Sequence, residues 1–331
     1  MVTASPWLSI LVPVYNVKGY LDDCFQSILS QCDTGVEVIA LDDQSSDGSY
    51  DYLSKIASDS SHPIKIMRHP INRGLSAARN SLVAEATGNY VWFLDSDDAL
   101  VEGAIAQLRN IVNQHNPDLV MCDYQMWRPE LLDNFGQFKK ELHLVTFAGA
   151  ENCLISDPEQ LFQGLYKKGK LHAWSKISKR SLWQDGLQFP EGKYFEDMVN
   201  TPRLALKVNT YYYCPQVWIK YRQREGSILA TFNTKKIDDM ISGLDGVLAV
   251  WADRLPKMRM ATRYIYIRYC VKIYLYAVKE AQRIGVFSAE EKSKYRSRLF
   301  SSIAMGRRGL VKHYMRFGDF FRLAKALKAL H

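Results

Sequence analysis

The sequence predicts an α/β fold, a mostly parallel sheet flanked by helices, followed by a helical C-terminal region. Three observations predict it. Short apolar runs alternate with helix-period stretches through the first half of the chain. Two of those runs stop abruptly at acidic clusters. Beyond Gly226 the apolar residues recur with the 3.6-residue period of helices.

Leu8 to Val14 (LSILVPV) is an unbroken apolar run, as expected of a strand covered on both faces. Asp22 to Ser30 carries apolar residues at helical spacing. Val36 to Leu41 (VEVIAL) is the second strand and ends in Asp42-Asp43. Asp47 to Ala57 reads as a helix capped by Asp47 or Ser46, and Ile64 to Arg68 as a short third strand. Ser76 to Ala86 is Ala-rich and helical. Tyr90 to Leu94 (YVWFL) is a strand stopped by Asp95-Ser96-Asp97-Asp98. A helix from about Glu102 to Gln114 and a strand at Asp118 to Tyr124 complete the alternation. In such sheets ligands gather beyond the carboxyl ends of the strands, and both acidic clusters fall on that edge. From Pro129 to Gly169 the pattern weakens into an irregular segment. Order returns over His172 to Ala205, where Glu196-Asp197 opens a helix running to about Leu204. The C-terminal helices are Ile237 to Leu255, Arg263 to Ile284 and Ser288 to Ala304.

With 47% apolar and 24% charged residues in 331, the composition is that of a globular protein with a sizeable core. The six cysteines show no Cys-x-x-Cys pairing and read as free thiols of a reducing compartment. The first residues lack the basic head and apolar stretch of a signal peptide, and no window approaches the roughly 18 apolar residues of a membrane span. Net charge is unevenly spread. From Arg254 onward 19 Lys or Arg face 4 Asp or Glu, whereas the rest has 24 against 31. An acidic body thus carries a basic tail.

The cluster Phe93-Leu94-Asp95-Ser96-Asp97-Asp98 points to chemistry. A nucleoside diphosphate leaves more readily when a hard divalent cation, Mn²⁺ or Mg²⁺, held by carboxylates neutralises it. An Asp-x-Asp after a strand can send one carboxylate to the ribose and the other to the metal. Helix capping by Ser96 or Asp97 is the plain alternative, and it explains one acid rather than three. Asp42-Asp43-Gln44-Ser45-Ser46-Asp47-Gly48-Ser49 reads equally well as a turn or as a base-reading edge. In the second case an Asp accepts from a uracil imide while Tyr15 stacks on the ring. Arg73 and Arg79, in Asn72-Arg73-Gly74-Leu75-Ser76-Ala77-Ala78-Arg79-Asn80, can meet a phosphate or pair with one of these acids. Glu196-Asp197 either favours a helix dipole or supplies a general base for an acceptor hydroxyl. No Gly-x-Gly-x-x-Gly follows the first strand, and Walker, His-Glu-x-x-His and Gly-x-Ser-x-Gly motifs are missing, which disfavours dinucleotide, P-loop, metalloprotease and serine-nucleophile chemistry.

Four stretches in order resemble the successive motifs of family 2 glycosyltransferases. They are Val12-Pro13-Val14-Tyr15-Asn16, Ile39 to Ser49, Asn72-Arg73-Gly74 with Ala78-Arg79-Asn80, and Gly88 to Asp98. Ala173-Trp174-Ser175-Lys176 through Tyr194-Phe195-Glu196-Asp197-Met198 is similar to the acceptor side of bacterial polysaccharide members. The resemblance implies a GT-A fold and an inverting transfer. It implies a catalytic domain over 1–225, with a nucleotide-sugar half at 1–128 and an acceptor half at 129–225, and a basic helical region at 226–331. By position, Asp43 would read uracil with Tyr15 beside it and Pro13 shaping the pocket. Asp95 and Ser96 would meet the ribose side of the donor. Asp97, with Asp95, would hold the metal. Asp197 would be the base supported by Glu196, and Trp174 a sugar platform. Arg222 or Arg224, in a flexible segment after the catalytic helix, would clamp the diphosphate. The chain departs from the family in lacking the Gln-x-x-Arg-Trp of processive synthases. It also carries Gln44 where Gly is common.

The implied donor is a UDP-sugar, and the acceptor a saccharide or an undecaprenyl-linked saccharide. Direct transfer to a polyprenyl phosphate is the runner-up. A basic nucleic-acid-binding protein is the rival of another class, but no base-stacking or groove-reading motif supports it, so no nucleic acid partner is expected. The tail sets Phe317, Phe320, Phe321, Ala324 and Leu327 near one face, with Arg322, Lys325 and Lys328 elsewhere. Such a helix can lie on an anionic membrane or pack on the catalytic domain. The expected location is the cytoplasm, on the inner face of the membrane in the first case.

Overall fold

The computed structural model describes residues 5–128, 142–223 and 231–330. Its N-terminal part alternates strands β1 (Leu8–Val14), β2 (Val36–Asp42), β3 (Ile64–Arg68) and β4 (Tyr90–Phe93) with helices α1 (Leu21–Leu29), α2 (Ser49–Asp59) and α3 (Leu75–Glu85). These four strands are parallel and lie in the order β3-β2-β1-β4. Pro13 fits there because β1 pairs with β4 only as far as Leu11, while its pairing with β2 runs on to Val14. The Leu11 carbonyl accepts from the Leu94 amide, so Pro13, two residues on, turns its missing donor to a side where pairing has ended.

The sheet continues through β5 (Ala99–Leu100), β6 (Leu119–Trp127), β7 (Leu142–Leu144), β8 (Leu154–Ile155), β9 (Lys176–Lys179) and β10 (Tyr211–Arg222), with α4 (Ala104–His115), α5 (Pro158–Lys168) and α6 (Glu196–Lys207) between them. Its full order is β3-β2-β1-β4-β9-β6-β10-β5, with β7 on β6 and β8 on β10. Strand β9 enters antiparallel between β4 and β6, so the parallel half passes into a mixed one.

Several elements differ from expectation. Helix α5 forms inside the stretch read as irregular. Asp157 caps it by accepting from the Glu159 and Gln160 amides, Pro158 opens it, and Gly169 closes it in the left-handed region. Strand β10 occupies a stretch not read as a strand; Pro215 sits where its register slips between Cys214 and Val217. The tail comprises α7 (Thr234–Ser242), α8 (Val247–Ala252), α9 (Met260–Arg283), α10 (Ala289–Ser302), α11 (Arg307–Arg316) and α12 (Phe320–Leu330). The expected helix over Ile237 to Leu255 is thus two, broken where Gly246 takes φ +77°.

Each face of the sheet buries its own core. Leu8, Ile10 and Val12 pack towards α1 and α4. Leu11, Ile39 and Leu41 belong to a core that runs without a break through α3, α5 and α6 to Tyr266, Leu310 and Leu330 of the tail. The tail helices therefore pack on the α/β fold. Helix α12 contributes Leu323, Ala326 and Leu330, and the Tyr274 hydroxyl donates to the Ala329 carbonyl at 3.0 Å. Each buried Leu contributes about 1.5–3 kcal/mol. The stripe expected from the sequence is not the packed one, since Phe320 and Phe321 stand exposed. Among the described residues no helix is long and apolar enough to cross a membrane.

Candidate active site

The parallel strands end together at one edge, and there Asp43 follows β2. Its side chain is buried and held on three sides. Oδ1 accepts from His69 Nδ1 at 2.6 Å and the Arg73 amide at 2.9 Å, and Oδ2 from the Gly74 amide at 2.6 Å. A carboxylate has about four acceptor positions, so one on Oδ2 stays open to an imide N–H. Tyr15, one residue past β1, is exposed and able to lie against a ring. Asp47 accepts from the amides of Ser49 and Lys18 and so is spent on the turn; the N-cap of α2 is Gly48. Gln44 takes φ +60°, which explains the glycine common at this position: the turn is retained at the cost of a left-handed L-residue.

After β4, Asp95 to Asp98 form a turn closed by the Asp98 amide on the Asp95 carbonyl. Helix capping does not account for these acids, because β5 follows and α4 begins later, after Gly103. The antiparallel pairing of β10 with β5 brings Arg222 to the turn. Its amide donates to Asp98 Oδ1 at 2.8 Å, its Nε to the Asp97 carbonyl at 2.8 Å, and its Nη2 to Asp23 at 2.5 Å. Asp98 is wholly buried with Oδ2 unpartnered; burial and the charges of Asp97 and Asp95 push its carboxyl well up. This excess of carboxylate fits a divalent cation. Hard oxygen donors suit Mn²⁺ or Mg²⁺. Among the described residues no three acidic, His or Cys side chains converge as a complete cage, so a cation would take one or two carboxylates here and its remaining ligands from a diphosphate.

Arg79 of α3 joins this turn to α6. It is 1% exposed, with Nη2 2.7 Å from Asp95, and Nη1 2.5 Å from Glu196 and 3.6 Å from Asp197. Burial and the neighbouring Glu196 push the Asp197 carboxyl up to about 7, against Arg79, which lowers it. Asp197 Oδ1 has no hydrogen-bond partner. A carboxylate so poised suits proton abstraction near neutrality. Before it, Phe195 takes φ +57°. That strained entry is tied to α7 through Asp239, which accepts from Lys193 Nζ at 3.0 Å, the Tyr194 amide at 3.1 Å and Lys235 Nζ at 2.6 Å.

The structure sets four of the expected site residues against other side chains. Trp174 is 2% exposed and packed against His172, Tyr221 and Tyr124, with ring centres 4.6, 5.6 and 4.7 Å away, so it presents no free face to a sugar. Of the two readings open for Arg79, the structure shows the pairing with acids. Arg222 lies at the end of a strand rather than in a flexible segment, its guanidinium bonded to Asp97 and Asp23 and stacked 3.8 Å from the Trp127 ring centre. Arg73 reaches Glu191 at 3.3 Å on the surface. Ser96 is buried within the turn, and Arg224 lies outside the described residues. His69 and Asp239 were missed. His69 directly follows β3 as Asp43 directly follows β2, and the pairing of Asp42 with Arg68 sets the two side by side.

A family model described as glycosyl transferase family 2 matches residues 9–149. The putative teichuronic acid biosynthesis glycosyltransferase TuaG of Bacillus subtilis is 37% identical over 236 residues, covering 68% of this chain and 91% of TuaG. The chain belongs to glycosyltransferase family 2. Glycosyltransferase GlyA of Streptococcus pneumoniae is 27% identical to this family 2 enzyme over 252 residues, or 74% of the chain, which spans only 35% of GlyA. The crystal structure of S. aureus TarS 1-349 with UDP-GlcNAc superposes with a TM-score of 0.67 at 18% identity, covering 97% of this chain and 90% of that one. The family 2 enzyme thus has a GT-A fold with a helical C-terminal region.

Proposed function

We propose that this enzyme is an inverting, metal-dependent transferase. It moves a hexosyl or N-acetylhexosaminyl group from a UDP-sugar to a saccharide or undecaprenyl-linked saccharide in bacterial cell-surface polysaccharide synthesis. The observation that carries the reading is Asp197, its carboxyl raised to about 7 and held by Arg79 beside the Asp95–Asp97 turn. TuaG, whose printed role is in teichuronic acid biosynthesis, supports the polysaccharide setting, and the UDP-GlcNAc complex of TarS supports the donor class. An undecaprenyl-linked acceptor puts a cytoplasmic enzyme at the inner face of the membrane.

In this reading residues 1–128 bind the nucleotide, 129–225 the acceptor, and 226–331 buttress both. Asp43 accepts from the uracil imide, Tyr15 covers the base, Pro13 shapes the strand end beneath it, and Ser96 helps hold the ribose-side turn. Asp97, with Asp95, would hold Mn²⁺ or Mg²⁺, which when bound neutralises charge on the leaving diphosphate. Asp197 takes the proton of the acceptor hydroxyl. The freed oxygen attacks the anomeric carbon from the face opposite the diphosphate. The carbon–oxygen bond to UDP breaks as the new one forms, UDP departs with the bonding pair, and one displacement inverts the centre. Glu196 keeps Arg79 in place. Release of UDP across a panel of UDP-sugars, with Mn²⁺, Mg²⁺ or chelator, tests this: one donor should turn over only with metal. Turnover of no nucleotide-sugar in any metal would overturn the reading.

A further inference from the structure

The packed face of α12 leaves the opposite side of the C-terminal pair uncovered. Around the turn at Gly318, Met315, Phe317, Phe320 and Phe321 are 55%, 38%, 61% and 73% exposed. Phe317 rests one face on Tyr264, ring centres 4.1 Å apart, so the cluster is anchored to α9 rather than loose. Basic side chains flank it at helical spacing. Arg308, Lys312 and Arg316 run along the exposed face of α11, and Lys325 and Lys328 along that of α12. Lys325 Nζ stands 4.6 Å over the Phe321 ring.

Residues 307–330 hold seven Lys or Arg and a single acid, Asp319. That acid is consumed internally, accepting from Tyr264 Oη at 2.7 Å and Arg322 at 2.8 Å. The patch thus presents aromatic rings at its tip and almost unopposed positive charge at its margins. A protein partner would have to bring both an apolar pocket and a ring of acids. An anionic bilayer offers both at once, with acyl chains below and phosphates around. Long basic side chains beside a ring can keep the charge at the headgroups while the ring descends.

We propose that the α11–α12 turn is a membrane-docking surface whose partner is an anionic phospholipid bilayer, with Phe320 and Phe321 entering the interface and the flanking lysines and arginines meeting the headgroups. This deepens the membrane-side acceptor reading and rests on it for the purpose of docking, while the chemistry of the surface stands on its own residues.

Sedimentation of the full chain with phosphatidylglycerol–phosphatidylcholine vesicles, and with phosphatidylcholine alone, tests it. The wild type should bind the anionic vesicles and leave them at high salt. The double variant Phe320→Ser/Phe321→Ser should bind about tenfold more weakly or less. Lys325→Ala and Lys328→Ala should each cost roughly fivefold. All three should keep wild-type thermal melting and UDP release, since none touches the catalytic edge. Absence of wild-type binding, or equal binding by the double variant, overturns the proposal. So does a double variant whose only change by light scattering is loss of a dimer, which would make the occupant a second copy. Loss of UDP release in the wild type counts against the donor reading alone.

Discussion

Replacing Arg79 with Met would remove a buried cation shared by Asp95, Glu196 and Asp197. The guanidinium lies 2.7, 2.5 and 3.6 Å from those carboxylates and is 1% exposed, so water cannot take its place without opening the core. Removing one partner of a buried ion pair costs about 3–5 kcal/mol. For a chain of this length that lowers Tm by roughly 4–7 °C. The second effect is on protonation. Arg79 pulls the Asp197 carboxyl down against burial and Glu196, so its loss drives that carboxyl further up. An opposite charge at this range is worth about 1–3 pH units, so the acid limb of kcat/KM should climb by that amount. At pH 7 activity would fall roughly 5- to 500-fold on protonation alone, and recover as pH is raised. Arg79→Lys, which keeps a charge but not the fork, should restore part of both. UDP release against pH, paired with calorimetry, reads the two effects separately. A Met variant with wild-type Tm and an unmoved acid limb would refute the assignment of Arg79 as the link between turn and base.

Asp97→Ala should retain the fold and lose metal-dependent UDP release by about 10²-fold or more; undiminished turnover with the same metal titration would remove the metal assignment. Asp197→Asn should bind UDP-sugar normally while kcat falls about 10²–10⁴-fold, and unchanged kcat would show that another group is the base. With Asp197 as the proposed base its ionised form is the active one, so kcat/KM should rise with pH through about 7. The same carboxyl holds its proton more tightly folded than unfolded, where 3.8 is its ordinary value, so it lowers stability as pH rises from about 4 to 7. Asp197→Asn should flatten that part of the Tm–pH curve. Gln44→Gly should stabilise by about 1 kcal/mol by relieving a left-handed backbone, and a lower Tm would show that the side chain contributes more than the strain costs.

The acidic edge of the sheet was legible because its signals are local. Unbroken apolar strands ending in Asp42-Asp43 and Asp95 to Asp98 carry both the fold and the place of the site, and β1 to β4 form as those runs predict. Asp197 opens α6 as expected, yet its proximity to Asp95 depends on Arg79, 118 residues before it, and no periodicity reports such a pairing. Trp174 misled for the same reason. An aromatic in a stretch that resembles the family's acceptor side looks available in sequence, whereas His172, Tyr124 of β6 and Tyr221 of β10 pack against it. Strand β10 was missed because its Pro and register slip interrupt the alternation that marks a strand. Helix α5 did carry its signals, an Asp-Pro start and a Gly stop, within a stretch of weak periodicity.

Asp239 lies in α7, past the boundary the sequence suggests between body and tail, yet two of its hydrogen bonds, from Lys193 Nζ and the Tyr194 amide, fasten the residues that lead into Glu196. Modularity fails at that point. A fragment ending before Thr234 can keep every acid of the nucleotide edge and still have nothing to hold Phe195 in its left-handed turn. Chimeras that exchange tails between family members should therefore be cut after α7 rather than before it, with the aspartate inherited alongside the loop it restrains.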